Sequence, residues 1–295
     1  MSGFAILLLC LSTIAHASWN LFGKKGAEAG LSFYLIAVVA SCVFYVPLLA
    51  FGRHWFDVLP ASFWILVFFA GIAETFYFMG LAGAYRFCSL GLSYPLARAL
   101  PVLLVPIGSF LIFHQTMSIS ALLGVVCVVI GMLGLLRFDQ GSRHKGYMIA
   151  FALLAALGTM AYSMIDYQAL QLAGEYLPDI PKLQIALFYA ACQGIATIPF
   201  LAMILLKRSE RQKLITTFRL YRNTAIWAGL VMAITYTLVL FSYMFVTNVS
   251  YAVAFRQLSI PIGVLFGVVF LKEPLTPRIA IANLIVLLGL ILVVV

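Results

Sequence analysis

The chain has 295 residues, of which 64% are hydrophobic and 9% charged, with mean hydropathy +1.11 and a formal net charge of +9. A soluble domain carries roughly a quarter charged residues because its surface must be wetted, so this composition excludes a water-soluble fold and makes lipid the solvent. About ten spans of about 20 apolar residues each fit this length with only short connectors, which leaves no room for a soluble domain of usual size and places any function inside the helix bundle.

The apolar runs predict helices over 2–22, 31–51, 60–83, 91–113, 118–136, 146–169, 183–206, 224–246, 250–271 and 276–295. The first lacks a basic leading region and carries His16, Trp19 and Asn20, so it reads as a first span and not a cleaved signal peptide. A lone histidine there serves as a packing residue or as a group whose charge changes near neutral pH. Trp19 falls at a place comparable to Tyr162 of span 6, so an aromatic recurs in both halves, as a substrate wall or as part of an interfacial belt. Span 3 carries Glu74, the deepest acidic residue by position, and Tyr77. Glu74 either pairs with an intramembrane arginine or takes up a proton during a transport cycle. Asp166, three residues before the end of span 6, reads as interfacial. Tyr94, Tyr236, Tyr243 and Tyr251 are able to hydrogen-bond a polar ligand or to serve packing alone.

Arg98 of span 4 and Arg256 of span 9 each stand about 10 Å below one surface at a rise of about 1.5 Å per residue. A charge at such depth costs about 3 kcal/mol on insertion scales. The offset comes from a carboxylate, backbone carbonyls, water or an anionic substrate, and a snorkelling or salt-bridged arginine is the structural alternative. Proline forfeits a backbone bond and bends a helix; Pro47 and Pro199 in spans 2 and 7, Pro101 in span 4 and Pro261 in span 9 are the candidate hinges, with Pro95 and Pro106 also in span 4. The five cysteines (Cys10, Cys42, Cys88, Cys127, Cys192) lie in or near apolar segments without C-x-x-C spacing and read as small hydrophobes. No H-E-x-x-H, P-loop or G-x-S-x-G motif is present and no metal-ligand spacing occurs, so neither an enzyme nor a metal or cofactor is expected.

The two halves resemble each other. An ungapped offset of 158 places Ala70–Gly71 on Ala228–Gly229, Tyr85 on Tyr243, Phe87 on Phe245, Arg98 on Arg256, Leu100 on Leu258 and Gly131 on Gly289. Pro47-Leu-Leu-Ala matches Pro199-Phe-Leu-Ala at an offset of 152. Five spans per unit is an odd number, so the second unit enters from the opposite side. The expectation is an all-α membrane protein of ten transmembrane helices, built as two inverted five-helix repeats, 1–139 and 140–295, around a central cavity lined by spans 1, 3, 4, 6, 8 and 9.

Apart from Arg98 and Arg256 the chain has 16 Lys/Arg, and 14 of them fall in or beside alternate connections, most densely at Lys207, Arg208, Arg211, Lys213, Arg219 and Arg222. The positive-inside rule then puts both termini outside. The same imbalance explains the net charge without a nucleic-acid partner, although the 7–8 loop is able to touch anionic lipid.

Three stretches carry a family resemblance: His16-Ala-Ser-Trp19-Asn20-Leu-Phe-Gly-Lys24, the run from Gly71 to Gly134, and the segment from Trp227 through Tyr251 to Leu271-Lys-Glu273-Pro-Leu-Thr276. They resemble the EamA family of the drug/metabolite transporter superfamily, which are ten-helix carriers, and with the duplication the likeness covers nearly the whole chain. His114-Gln115 departs from that pattern, where the family usually has a glutamate. The resemblance implies cytoplasmic termini, against the charge count, and movement of a small metabolite through a central cavity. The resulting expectation is a secondary active transporter in the bilayer of a bacterial inner membrane, a monomer or homodimer. Its substrate would be a small anionic or zwitterionic compound, such as an amino acid or another carboxylate or phosphate metabolite, with protons as a coupling partner. A lipid-linked substrate flippase of the same superfamily, an integral-membrane enzyme and a non-transporting subunit are the alternatives.

Overall fold

The computed structural model describes residues 2–26, 29–87, 90–135, 145–270, 272 and 274–295, with the side chains of 17–26, 85–87, 90–96, 145, 267 and 270 outside the description. In chain order the helices are α1 (Gly3–Gly26), α2 (Leu31–Phe51), α3 (Trp55–Val58), α4 (Ala61–Phe87), α5 (Leu90–Phe113), α6 (Ile119–Gly134), α7 (Lys145–Tyr176), α8 (Lys182–Ala202), α9 (Arg208–Tyr243), α10 (Val249–Phe255), α11 (Ser259–Phe270) and α12 (Pro277–Val294). Among the described residues there is no strand. Among the described residues, seven segments are long and apolar enough to cross a membrane: Leu31–Phe51, Ala61–Ala84, Gly146–Tyr176, Lys182–Leu206, Arg208–Tyr243, Val249–Phe266 and Pro277–Val294. Gly3–His16, Ala97–Phe113 and Ile119–Gly134 are shorter apolar stretches. Large apolar side chains face outward along these helices, Phe51 at 79% and Leu111 at 65% exposure among them, as lipid in place of water requires. The chain is an all-α membrane protein.

The short helix α3 was not expected, and three of the expected spans depart most clearly. Helix α9 begins at Arg208, not 224, because the basic segment is itself amphipathic: Thr217 is buried, with Leu214 and Tyr221 half-buried, while the basic side chains stay exposed. At about 1.5 Å per residue its 36 residues reach about 54 Å, well past a hydrocarbon core of about 30 Å. Helix α7 continues to Tyr176, seven residues beyond the expected end at 169. The expected span 250–271 is broken into α10, a 3-10 turn at Arg256–Leu258, and α11. Pro261, third residue of α11, has no N–H to return to the Gln257 carbonyl, which explains a break at this place.

Helix pairing is set by small residues and by hydroxyls returned to backbone carbonyls. Helix α4 packs on α7, α6 on α12, α9 on α1 and α2, and α8 on α2 and α4. Ser12 Oγ of α1 donates to the Thr235 carbonyl of α9 at 3.0 Å, and Tyr45 Oη of α2 donates to the Ala233 carbonyl at 2.8 Å. Helices α6 and α12 run antiparallel in backbone contact: a Cβ on Gly289 would stand 2.7 Å from the Gly124 carbonyl oxygen, and one on Gly131 would stand 2.7 Å from the Ala282 carbonyl oxygen. The connections leading into these two helices have the same form. His114 and Lys272, 158 residues apart, both hold a left-handed backbone (φ 54° and 53°). Four residues later Ser118 and Thr276 cap α6 and α12 by accepting from Ala121 N and Ile279 N.

Cys42 and Cys192 are buried, Cys10 and Cys127 half-buried, and all four are free thiols; Cys88 lies outside the described residues. Because backbone cannot yield as a flexible side chain does, Gly289→Ala is expected to part α6 from α12 and cost about 1–3 kcal/mol, lowering the thermal midpoint of the detergent-solubilised protein. Gly263→Ala, with nothing within 4 Å of the new methyl, should leave that midpoint unchanged.

Candidate functional site

A cavity with about 700 Å³ of space free of atoms, the open space at its mouth included, lies among α1, α2, α4, α7, α8, α9 and the 3-10 turn. Its polar wall is made by His16, Ser41, Glu74, Tyr77, Tyr162, Gln193, Thr235, Tyr236 and Arg256, and its apolar wall by Val38, Phe78, Ala190 and Met232. Glu74 stands midway along α4, so the cavity lies deep in the bundle. Helices α2 and α8 supply Ser41, Ala190 and Gly194, small residues that let them come close; they are additional to the expected lining. None of the described side chains of α5 lines it.

Glu74 is half-buried and accepts from Thr197 Oγ1 of α8 at 2.7 Å; among the described residues it forms no ion pair with Arg98 or Arg256. The phenols of Tyr162, Tyr243 and Tyr236 lie close enough to the Arg256 guanidinium to act on it electrostatically, and Tyr162 hydrogen-bonds with it. Edge-to-face contacts join Tyr77 to Tyr162 at 5.7 Å and Tyr162 to Tyr236 at 6.3 Å, an aromatic arc along the wall between carboxylate and guanidinium.

The two arginines that the offset of 158 makes equivalent do different work. Arg98 Nη2 donates to the Arg256 carbonyl at 3.2 Å and to Ser259 Oγ at 2.8 Å, and Ser259 Oγ donates to that same carbonyl at 2.9 Å. Arg98 thus ties α5 to the break in the ninth expected span, and it does not reach the cavity wall. Arg256 turns its own side chain into the cavity. A cation on a carbonyl at a helix break is a favourable partnership in lipid, where no water serves either group.

Asp166, expected at the interface, is fully buried (0% exposed) between α7, α8 and α9, and α7 runs ten residues beyond it. Tyr189 Oη of α8 donates to its Oδ1 at 2.7 Å, and Tyr236 Oη of α9 donates to its Oδ2. The placement of Tyr162 and Asp166 four residues apart on α7 puts them on one helix face, which is the signal in the sequence that locates Asp166 beside the cavity.

Of the residues singled out from sequence, His16, Glu74, Tyr77, Tyr162, Tyr236 and Arg256 meet at the cavity. Tyr243 is buried behind it, and Tyr251 Oη accepts from Ser118 N at the start of α6, away from it. The side chains of Trp19, Asn20 and Tyr94 lie outside the described residues. Pro47 and Pro199 stand inside α2 and α8, Pro101 inside α5, and Pro261 just past the break.

No protein-family model and no curated protein matches this chain. Several solved structures are similar to this chain; one of them, a crystal structure, aligns over 98% of this chain and 96% of its own with a TM-score of 0.64 and 16% identity. A likeness at that identity speaks for the fold alone: the full length of this chain follows an architecture already seen in another protein.

The division of labour between the arginines is testable by stability. Arg98→Ala removes hydrogen bonds from a charged donor and is expected to cost about 1.5–3 kcal/mol, read as a lower thermal midpoint. Arg256→Ala, which frees a side chain in an open cavity, should lower that midpoint far less.

Proposed function

We propose that the protein is a secondary active transporter of a small anionic or zwitterionic metabolite, working by alternating access in a bacterial inner membrane. The observation that carries this reading is a guanidinium and a carboxylate, Arg256 and Glu74, that line one cavity inside apolar helices without pairing with each other. Each costs about 3 kcal/mol or more at such depth, and opposite charges left apart have a use when a ligand brings the complementary groups. A carboxylate or phosphate suits Arg256, an ammonium suits Glu74, and the tyrosine arc between them offers hydroxyls and ring faces.

The architecture we propose is ten crossings in two inverted five-helix units. Supporting it are the matched left-handed turns at His114 and Lys272 and the matched caps at Ser118 and Thr276, all at the offset of 158. The α6–α12 contact is reciprocal: Gly124 meets Gly289 while Gly131 meets Ala282, and the same offset equates Gly124 with Ala282 and Gly131 with Gly289. Such exchange of partners is what a two-fold axis between related units produces. Carriers built this way place substrate at the repeat interface, and this architecture agrees with the resemblance to the EamA family. Under the positive-inside rule the basic end of α9 faces the cytoplasm.

A thermal-shift screen of carboxylate, phosphate and amino-acid metabolites tests the reading. A ligand of this class should stabilise the wild type and Arg98→Ala and fail to stabilise Arg256→Ala, with Glu74→Gln losing the response to zwitterions in particular. Equal stabilisation of the wild type and Arg256→Ala would remove the basis of the assignment.

A further inference from the structure

The Asp166 site is not needed to bind a ligand directly, since both carboxylate oxygens are taken by tyrosines and the residue is fully buried. Among the described residues it has no cationic partner in hydrogen-bonding contact. The titratable and charged groups around it are Tyr189 and Cys192 of α8, Tyr236 and Tyr243 of α9, Glu74 of α4 and Arg256 of the 3-10 turn. Helix α5, which also packs on α7, turns Arg98 to the Arg256 carbonyl instead. A second acidic residue is therefore kept inside the bundle by two hydroxyls alone, and one of them, Tyr236, belongs to the cavity wall. A structural carboxylate in lipid would be expected to hold a cation.

We infer that Asp166 is a proton-carrying site of the protein and that Tyr236 connects it to the cavity. With Asp166 ionised, the Tyr236 hydrogen is used on Oδ2 and the phenol oxygen can only accept from the cavity. A proton arriving from the cavity adds to the Tyr236 oxygen as that hydroxyl passes its own proton to Oδ2. Asp166 is then neutral and donates to the Tyr236 oxygen, Tyr236 is again neutral, and its O–H points into the cavity. One proton has been taken up and no other bond has changed. The wall beside Arg256 thereby gains a donor, which favours an anionic group; by linkage, the anion and the proton each strengthen the other's binding. The inference rests on the carrier reading for its use, but the proton site itself is measurable without any substrate.

Infrared spectroscopy of the substrate-free protein in lipid, titrated with pH, reads the carbonyl stretch of a protonated buried carboxyl. The band should come and go with pH in the wild type and in Glu74→Gln and be lost in Asp166→Asn. In Tyr236→Phe it should move to higher frequency, because a hydrogen-bond partner of the carboxyl is gone; this variant decides the matter if Asp166→Asn does not fold. A band that survives Asp166→Asn, or one that Tyr236→Phe leaves in place, overturns the inference. Failure of every metabolite to bind would count against the carrier reading and would not alter the spectrum.

Discussion

Charge buried in a hydrocarbon surrounding must be answered by the protein itself, and this requirement organises the centre of the molecule. Among the described residues two arginines and two carboxylates sit in the bundle beside the cavity, and each is answered differently. Arg98 uses a backbone carbonyl exposed at a helix break together with Ser259. Asp166 uses two tyrosine hydroxyls. Glu74 uses the Thr197 hydroxyl and open space, and Arg256 uses tyrosines and the same open space. The first two are closed arrangements that hold helices together; the last two face a cavity, where a ligand is able to meet them.

The break that accepts Arg98 is also what turns Arg256 inward. A continuous helix would hide the Arg256 carbonyl in its own ladder of hydrogen bonds, and Arg98 would find no acceptor. Pro261 leaves the Gln257 carbonyl without its usual donor; in the 3-10 turn the Arg256 carbonyl accepts from Ser259 N, Ser259 Oγ and Arg98 Nη2 together, and the last of these fixes α5 against the turn. Small residues do the remaining work: the glycine contacts between α6 and α12 and the Ala190–Gly194 stretch of α8 let backbones approach, so that polar side chains from seven elements converge on one space.

Much of this was legible in the sequence, because hydropathy in a membrane protein is a strong signal. The expected 31–51 coincides with α2, and 91–113 and 276–295 agree with α5 and α12 within a residue or so. Helix ends were less legible. Polar and basic residues at the start of α9 and the end of α7 still form helix outside the apolar stretch, and the early end assigned to span 6 made Asp166 look interfacial. The equivalence of Arg98 and Arg256 could be read from the offset of 158, but their different roles could not. One donates to the backbone of the other, and such a contact has a direction that two similar sequences do not encode. The contribution of α2 and α8 to the cavity was equally hidden: Ser41, Ala190 and Gly194 matter there for their smallness, and Tyr45 and Gln193 stand in apolar runs that read as packing.

The central claim is that the charged cavity is reached by water from within a membrane. Cysteine accessibility tests it most directly, in a variant without Cys10, Cys42, Cys88, Cys127 and Cys192 and with Ser41→Cys on the cavity wall. In intact membrane vesicles a small charged thiol reagent should modify that cysteine readily, while Leu111→Cys on the outward face of α5 stays unmodified. Equal resistance at both positions would mean a sealed core and would contradict the account.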